Sequence, residues 1–244
     1  GFLIDDIDFS GVAMPATLFD VERLEVLRGP QGTAYGANAL AGLVNMVSRA
    51  PRRGFEARAE AEIGDYGARG GGVVLNDSAG DVGAWRVAAH AFRGDGFRRN
   101  AFLGRDDTNG FDEAFVRGRL LIEPRDDLTV YLTALWSDID NGYDAWSLDN
   151  SRVTLSDRPG RDAQRTRAAA LRVDHARSSF LSIRSVSTLA DSDIDYSFDG
   201  DWVYSAYYPD EDPPYDYYQE IRRGRRTVSQ LLRDVRSEIP TLRD

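Results

Sequence analysis

The stretch VERLEVLRGPQGTAYGANALAGLVNMVS, residues 21–48, joins two short apolar runs through a glycine-rich loop. Four glycines and one proline lie within residues 28–42, a composition typical of tight turns and close backbone approach. The flanking runs, 21–27 and 43–48, alternate apolar and polar side chains and are predicted to be β-strands. With a short strand near the start of the chain and a turn of helix at residues 15–20, residues 1–50 are predicted to form a small α/β unit.

The glycine-rich loop does not fit a phosphate-binding site, because its spacing matches no dinucleotide fingerprint and no lysine follows it. Its sequence L-R-G-P, followed by Y-G-x-N and G-x-V-N, instead resembles the C-terminal half of the plug domain of TonB-dependent outer-membrane receptors. The resemblance is dense over residues 21–48. It implies that the following positions carry the plug motif: Glu25, Arg28, Gly29, Pro30, Tyr35, Gly36, Asn38, Gly42 and Asn45.

Composition excludes many other classes of protein. The chain has 30 basic and 40 acidic residues and a net charge of −10, whereas a nucleic-acid-binding protein should carry a basic face. All the basic residues are arginine, so a Walker-type phosphate loop and a Schiff-base lysine are excluded. There is no cysteine and only two histidines, which leaves no thiol nucleophile and no expected metal site or cofactor. We therefore expect a protein that is not an enzyme.

The remainder of the chain alternates apolar and polar residues in segments of the length expected for the strands of a transmembrane barrel. In the first of these segments, Phe55, Ala57 and Ala59 lie on one face, and Glu56, Arg58 and Glu60 lie on the other. A mean hydropathy of −0.44 agrees with such strands, because only alternate residues of each strand face lipid. Eight strands are predicted, at residues 55–63, 68–76, 83–93, 113–123, 128–137, 166–176, 181–189 and 225–238.

The connections between the predicted strands separate a barrel from a soluble β-sandwich, which shows the same alternation of residues. The long connections, 94–112, 138–165 and 190–224, alternate with short ones at 77–82, 124–127 and 177–178. All the long connections therefore belong to one end of the sheet, as in outer-membrane barrels. A soluble β-sandwich binding module remains the alternative of a different class.

The predicted fold is mainly β: a small α/β plug remnant, then an antiparallel up-and-down transmembrane β-barrel that is incomplete. A closed barrel of eight strands has an interior just filled by side chains, whereas plugged transporters have about 22 strands. The chain is therefore expected to be a fragment, with residues 1–50 the C-terminal part of the plug and residues 51–244 the N-terminal part of the barrel. The resemblance also implies that the family's energy-coupling segment and closing strand are missing.

The resemblance implies an active transporter in the outer membrane of a Gram-negative bacterium, which imports a scarce nutrient with energy supplied through TonB. Its expected partners are TonB, outer-membrane lipid and a ferric siderophore, with vitamin B12, haem or an oligosaccharide as alternative ligands. Paired carboxylates can hydrolyse glycosides, but no spacing of carboxylates here favours that activity.

One predicted connection is unusual in composition. Residues 191–218 hold nine Asp or Glu, nine aromatic residues and no arginine. The aromatic residues offer stacking surfaces for a ligand, or form an aromatic girdle at the membrane interface. The acidic residues could hold Ca²⁺, and residues 138–144 weakly resemble a calcium loop but lack glycine and glutamate at the required positions. The possible ligand contacts are Trp202, Tyr204, Tyr207, Tyr208, Tyr215, Tyr217 and Tyr218.

The plug motif contains an arginine that should need carboxylate partners. Arg28 precedes a Gly-Pro turn, and if the turn faces the barrel wall its charge should be paired there. Glu56, Glu60 and Glu62, on the polar face of the first barrel strand, are the predicted partners.

Overall fold

The computed structural model describes residues 1–12, 17–30, 32, 38, 41–178, 181–210, 213 and 215–236, and every element whose bounds it describes is a strand. Four strands near the N-terminus form one sheet, which we call the small sheet, in the order β2-β1-β4-β3. No helix among these residues is long and apolar enough to cross a membrane. The strands of the small sheet are β1 (Phe2–Ile4), β2 (Ile7–Asp8), β3 (Val21–Arg28) and β4 (Gly42–Ser48).

Strands β3 and β4 confirm the two strands predicted on either side of the glycine-rich loop. Gly42 pairs with Arg28 at the end of this hairpin and has φ 148°, and a Cβ there would lie 2.8 Å from the Leu27 carbonyl oxygen. A glycine is therefore required where the two strands meet. Of the predicted helical turn at residues 15–20, the first two residues lie outside the described parts of the chain, and residues 17–20 form a bend and a turn.

Eight longer strands form an antiparallel up-and-down sheet, which we call the large sheet, in the order β14-β13-β12-β10-β9-β7-β6-β5. Two short strands in its connections, β8 (Arg99–Asn100) and β11 (Val153–Thr154), pair in parallel with each other. The large-sheet strands are β5 (Glu56–Ile63), β6 (Arg69–Ser78), β7 (Gly83–Gly94), β9 (Phe111–Arg125), β10 (Leu128–Tyr143), β12 (Gly160–Ser178), β13 (Leu181–Asp199) and β14 (Tyr218–Arg236).

The predicted architecture is confirmed: a small N-terminal sheet followed by an antiparallel up-and-down sheet of eight strands. Among the described residues the large sheet does not close, because β5 and β14 are its two edges and do not pair with each other. The strand lengths were underestimated for the later strands, however. Strand β12 covers 160–178 against a predicted 166–176, and β13 covers 181–199 against a predicted 181–189.

The long connections lie together at one end of the large sheet. In an up-and-down sheet, the connections that follow β7, β10 and β13 emerge at the same end, since these strands run in the same direction. We call these connections loop A (residues 95–110), loop B (144–159) and loop C (200–217). The connections at the opposite end, such as residues 79–82 and 126–127, are short.

The two faces of the large sheet differ because successive side chains of a strand point to opposite sides. One face contacts the small sheet, and we call it the covered face; Phe115 and Leu135 are buried there against Ile4 and Phe9. The opposite, exposed face carries apolar side chains, including Val73, Leu75, Val116, Leu132, Leu171, Leu189, Val228 and Leu232. This distribution places an apolar band on the side of the sheet away from the small sheet.

Candidate functional site

The small sheet is held on the covered face by a buried ion pair. Asp20, immediately before β3, accepts hydrogen bonds from Arg86 of β7, at 2.8 Å from Nε to Oδ2 and 2.6 Å from Nη2 to Oδ1. The side chains are only 1% and 3% exposed, respectively. Two parallel N–H···O bonds between a guanidinium and a carboxylate fix orientation as well as position. Asp20 has φ 57°, so the turn that presents its carboxylate is in the left-handed region.

Two further arginines of the covered face bind backbone oxygens of the small-sheet segment. Arg117 of β9 donates from Nη2 to the carbonyl oxygens of Phe19 (3.1 Å) and Asp20 (2.9 Å). Arg119 donates from Nη1 to the carbonyl oxygen of Ser48 at 2.8 Å. The large sheet therefore binds the backbone both just before β3 and at the end of β4.

Inside the small sheet, Asp5 completes the second of these contacts. Its carboxylate accepts hydrogen bonds from the backbone N of Ser48 (2.9 Å) and from its hydroxyl (2.6 Å), and the guanidinium of Arg119 lies 3.7 Å away. Asp5 is 7% exposed. The carboxylate therefore ties the turn after β1, the end of β4 and the large sheet into one buried polar cluster.

Apolar packing supplies the rest of the contact between the sheets. Beside the arginines, the covered face also carries apolar side chains that pack against the small sheet. The aromatic ring of Phe19 lies over Gly72 of β6, where an added Cβ would come within 2.5 Å of that ring. The buried cluster consists of Ile4, Ile7, Phe9, Met46, Phe115, Leu135, Ala168, Ala170 and Ala190.

The predicted partners of Arg28 are wrong. Arg28 is exposed at the end of β3, and no ion pair of its guanidinium occurs among the described residues. Glu56 instead accepts a 3.0 Å hydrogen bond from Arg86 and forms an ion pair with Arg52 at 2.6 Å. Glu62 lies 3.5 Å from His90. The polarity of the contact is thus the reverse of the prediction, because the large sheet supplies arginines and the small sheet supplies aspartates.

The residues of the proposed plug motif divide into structural roles. Asn45 of β4 donates from Nδ2 to Glu25 of β3 at 2.8 Å, and Asn38 donates to Asp8 at 2.6 Å. The hydrogen bonds from Arg23 and Asn45 hold the pKa of Glu25 below its ordinary value of 4.5. Gly29 has φ 82° and turns the chain at the end of β3, before Pro30. Tyr35 and Gly36 lie outside the described residues.

The aromatic residues predicted in loop C meet aromatic residues of the other two loops. Trp202 stacks on Trp146 of loop B with ring centroids 5.5 Å apart, and Tyr204 stacks on Phe102 of loop A at 4.5 Å. Trp146 and Phe102 are 47% and 48% exposed. Three loops therefore build one aromatic surface that is open to solvent.

The remaining predicted ligand contacts extend this surface unevenly. Tyr207 packs edge-on against Tyr204 and Tyr208, with centroids 5.6 and 4.9 Å apart. Tyr215 and Tyr217 stack on each other at 6.5 Å. Tyr218 lies in β14 under the guanidinium of Arg158, which is 5.0 Å from its ring centroid. The aromatic surface is thus centred on Trp202 and Tyr204.

The described residues do not contain a cluster of three or more His, Asp or Glu side chains arranged to hold a metal ion. The calcium-loop interpretation of residues 138–144 is wrong, because 138–143 belong to strand β10. Asp140 pairs with Arg161 at 2.7 Å, and Asp138 pairs with Arg165 at 2.8 Å. These carboxylates neutralise arginines of the neighbouring strand.

A cavity of about 510 Å³ separates the small sheet from strands β12–β14. Its walls bring acidic groups of the small sheet to face arginines of the large sheet. The polar lining includes Asp5, Asp6, Asp8, Arg119, Arg172 and Arg184. On this side Arg172 lies 3.9 Å from Asp6, a much looser contact than that of Asp20 with Arg86.

Sequence reasoning missed the residues that join separate parts of the chain. Nothing in the sequence points to Asp20 as the partner of Arg86 and Arg117. Loop A contains two phenylalanines and loop B a single tryptophan, and Phe102 and Trp146 become part of an aromatic surface only through Tyr204 and Trp202. Isolated aromatic residues in loops that emerge at one end of a sheet are the signal that could have found them.

Comparison with known proteins identifies the fold. No family model matches the chain. It is 41% identical over 69 residues to the catecholate siderophore receptor Fiu of Escherichia coli strain K12, a match covering 28% of this chain and 9% of Fiu. It is 27% identical over 128 residues to the vitamin B12 transporter BtuB of Vibrio vulnificus, covering 51% of this chain and 19% of BtuB. Both relatives are therefore much longer than their matched regions.

Solved structures cover almost all of the chain. The open form of the ferric-catecholate import receptor Fiu from E. coli K12 matches with a TM-score of 0.69 and 22% identity, over 95% of this chain and 38% of that one. The ferric yersiniabactin uptake receptor FyuA of Yersinia pestis matches with a TM-score of 0.77 and 18% identity, over 98% and 37%. The chain has the fold of TonB-dependent receptors and resembles them in sequence, and it spans well under half the length of these structures.

Proposed function

We propose that this chain supplies part of the plug and part of the barrel wall of an outer-membrane receptor that imports a ferric siderophore. In this proposal residues 1–50 are the plug and residues 51–244 are the wall. The observation that carries it is the docking of the small sheet on the covered face through Asp20 and Arg86. A sheet that is apolar on its exposed face and binds a separate folded segment on its other face is the arrangement that a gated barrel requires.

The location of the loops supports a receptor facing the cell exterior. The three long loops share one end of the large sheet and build one exposed aromatic surface around Trp202 and Tyr204. Aromatic rings offer large rigid stacking surfaces, and tyrosine hydroxyls offer hydrogen bonds. We propose that this surface receives the ligand and that the plug then opens with energy delivered by TonB.

The relatives support a choice between two classes of ligand. The sequence match to a catecholate siderophore receptor favours a ferric siderophore, and the match to BtuB makes vitamin B12 the second candidate. Transport of either ligand involves gating of the lumen and binding, with no chemistry performed on the ligand. We propose no catalytic activity for the chain.

Uptake in iron-starved cells tests the proposal. A strain lacking the gene should lose accumulation of radioactive iron supplied as a ferric siderophore, and the gene on a plasmid should restore it. A proton-gradient uncoupler should abolish the restored uptake, because the energy comes through TonB. Ferric catecholate, ferric hydroxamate and cyanocobalamin are compared as substrates. Uptake of cyanocobalamin alone supports the second candidate, and restored iron uptake that resists the uncoupler contradicts the proposed energy coupling.

Membrane fractionation tests the location. The protein should sediment with the outer membrane and need detergent for extraction. A monodisperse protein recovered from the soluble fraction would instead support the β-sandwich alternative.

A further inference from the structure

Loops A and B are joined by a buried carboxylate. Asp144 begins loop B, is 4% exposed, and accepts three hydrogen bonds at Oδ2. The donors are Asn100 Nδ2 at 2.9 Å, Thr108 Oγ1 at 2.8 Å and Thr154 Oγ1 at 2.6 Å. Asn100 and Thr108 belong to loop A, and Thr154 belongs to loop B. One carboxylate oxygen therefore fixes three points on two loops.

The groups around this carboxylate, which we call the Asp144 hub, are themselves shielded from water. Asn100 and Thr154 are fully buried, and Thr108 is 4% exposed. A buried carboxylate is tolerated when hydrogen bonds replace those it made to water, and bonds to an ionised acceptor are stronger than neutral ones. Removal of the carboxylate would take the acceptor from three buried donors, and the lost hydrogen bonds would strongly destabilise the contact between loops A and B.

The hub connects directly to both aromatic stacks. Asn100 uses its other side-chain atom to accept a 2.8 Å hydrogen bond from the backbone N of Leu103, which forms the turn that carries Phe102. Its Nδ2 also donates to the carbonyl oxygen of Ser156 at 2.8 Å. Trp146 follows the hub carboxylate by two residues. Each stack, Phe102 with Tyr204 and Trp146 with Trp202, thus has one ring on a segment that the hub fixes.

Backbone pairing reinforces the same connection. The strands β8 and β11 that pair in parallel contain Asn100 and Thr154 themselves. Ala101 donates from its backbone N to the carbonyl oxygen of Thr154 at 2.9 Å. The two loops are therefore in register at the point where their side chains reach Asp144.

We propose that Asp144 is a positioning residue that holds loops A and B as one rigid unit and presents Phe102 and Trp146 to the aromatic residues of loop C. Asp144 does not itself reach the aromatic surface; it acts through the loop backbone. A prearranged surface loses less conformational entropy when a ligand binds. The role assigned to ligand binding rests on the proposed receptor function, whereas the order of the loops does not.

Spectroscopy on the whole protein in detergent tests loop order without a ligand. The signal of the Trp146–Trp202 pair is defined as the difference in near-ultraviolet circular dichroism between the wild type and Trp202→Phe. In the Asp144→Ala background, adding Trp202→Phe should change the dichroism much less than it does in the wild type. Trypsin should also cleave Asp144→Ala at Arg152 faster than it cleaves the wild type. The matched control is Asp149→Ala, which removes an exposed carboxylate of the same loop whose partners Ser151 and Ser147 lie within two residues of it. It should leave both readouts unchanged.

A milder variant keeps the test decisive if Asp144→Ala does not fold. Thr154→Val removes one donor while it preserves the shape of the side chain and the charge of Asp144, so it should shift the same two signals less. Asp144→Asn retains an acceptor oxygen and should recover part of the wild-type dichroism. An unchanged tryptophan difference and unchanged cleavage in both Asp144→Ala and Thr154→Val overturn the proposal.

Binding of a defined probe connects the hub to the ligand. Tryptophan quenching by an iron(III) tris-catecholate complex should show affinity about tenfold or more weaker for Asp144→Ala than for the wild type, given the unsatisfied buried donors. Equal affinity in the two proteins contradicts the role in binding. If the wild type binds no probe while its tryptophan signal still depends on Asp144, the proposed ligand class fails and the positioning role stands.

Discussion

The contact between the two sheets and the surface formed by the three loops are held by opposite kinds of interaction. The sheets meet through charged groups that are removed from water, with Asp20 and Arg86 only 1% and 3% exposed. Loop C meets loops A and B through aromatic rings, and about half of the surface of Trp146 and of Phe102 remains in water. A buried ion pair tolerates little displacement, whereas stacked rings can slide and still remain in contact. The difference agrees with the proposed function, in which the small sheet stays docked as the plug while loop C adjusts against the rigid unit of loops A and B.

The largest expected effect comes from breaking the buried ion pair between the sheets. Asp20→Ala leaves Arg86 without its main partner in a buried site, so docking of the small sheet should weaken by about 3–5 kcal/mol. The measurement is the free energy of local opening of β3 and β4, from amide hydrogen exchange of the whole protein. Exclusion of large antibiotics by cells that express the variant provides a second readout.

Matched variants separate the buried pair from surface charge. Glu22→Ala removes the exposed partner of Arg23 and should change the opening free energy by less than about 1 kcal/mol. The double variant Asp20→Asn with Arg86→Gln removes both charges and should recover part of the loss. Equal effects of Asp20→Ala and Glu22→Ala would show that the buried pair does not hold the small sheet.

A steric change at the same contact should have an intermediate effect. Gly72→Ala places a Cβ 2.5 Å from the ring of Phe19, so the ring must move and the opening free energy should fall by about 1–3 kcal/mol. Gly118→Ala is the control on the same sheet, because an added Cβ there meets nothing within 4 Å. If both variants behave alike, the packing of Phe19 on Gly72 contributes nothing to docking.

Loss of one stacked ring in the loops should cost less. Tyr204→Ala removes the partner of Phe102, and the affinity for the iron(III) tris-catecholate probe should fall by about twofold to tenfold, since such aromatic pairs contribute about 0.5–1.5 kcal/mol. Fluorescence titration of the purified protein measures the change. Phe97→Ala, an exposed ring of loop A, is the control and should bind as the wild type does. If the binding free energy lost in Tyr204→Ala were as large as the docking free energy lost in Asp20→Ala, the distinction between the two regions would not hold.

Acidification should have the smallest effect, because it acts on a carboxylate that is partly exposed to solvent. The folded pKa of Glu25 lies below its ordinary value of 4.5, so its bonds to Arg23 and Asn45 stabilise the hairpin above that pH. This contribution is lost as the pH falls through the folded pKa, and it should amount to less than about 1 kcal/mol. The opening free energy of β3 and β4, measured between pH 6 and pH 3, should therefore decline less in Glu25→Gln than in the wild type. Identical slopes in the two proteins would show that Glu25 is not the titrating group.

The sequence predicted the strands best where one face is apolar. Leu128, Val130 and Leu132 alternate with polar residues, and β10 begins where predicted, at Leu128. The prediction ended β10 too early because its outer part alternates charged residues instead. Asp138 and Asp140 pair with Arg165 and Arg161 across the strands, and such pairs continue the sheet where charged residues replace the apolar ones of that face.

The prediction of the candidate site was similarly divided. The aromatic residues of loop C were identified from composition, since nine of them lie within residues 191–218. Their partners Phe102 and Trp146 were not identified, because they lie about 60 to 100 positions away in the chain, in loops that are not rich in aromatic residues. The sequence indicated that the charge of Arg28 needs a partner between the plug segment and the barrel strands. In the structure the buried ion pair between these two parts is formed by Asp20 and Arg86 instead.

What the sequence determined by itself is local. The alternation of residues set the strands and their two faces, the lengths of the connections set the end at which the long loops lie, and glycine fixed the hairpin at Gly42. The tertiary structure alone decided which charges and rings meet, since Asp20 and Arg86 are distant in the chain and adjacent only after the small sheet docks. The periodicity of a strand reports which side a residue faces, whereas the identity of its partner depends on a contact between surfaces that no local pattern encodes.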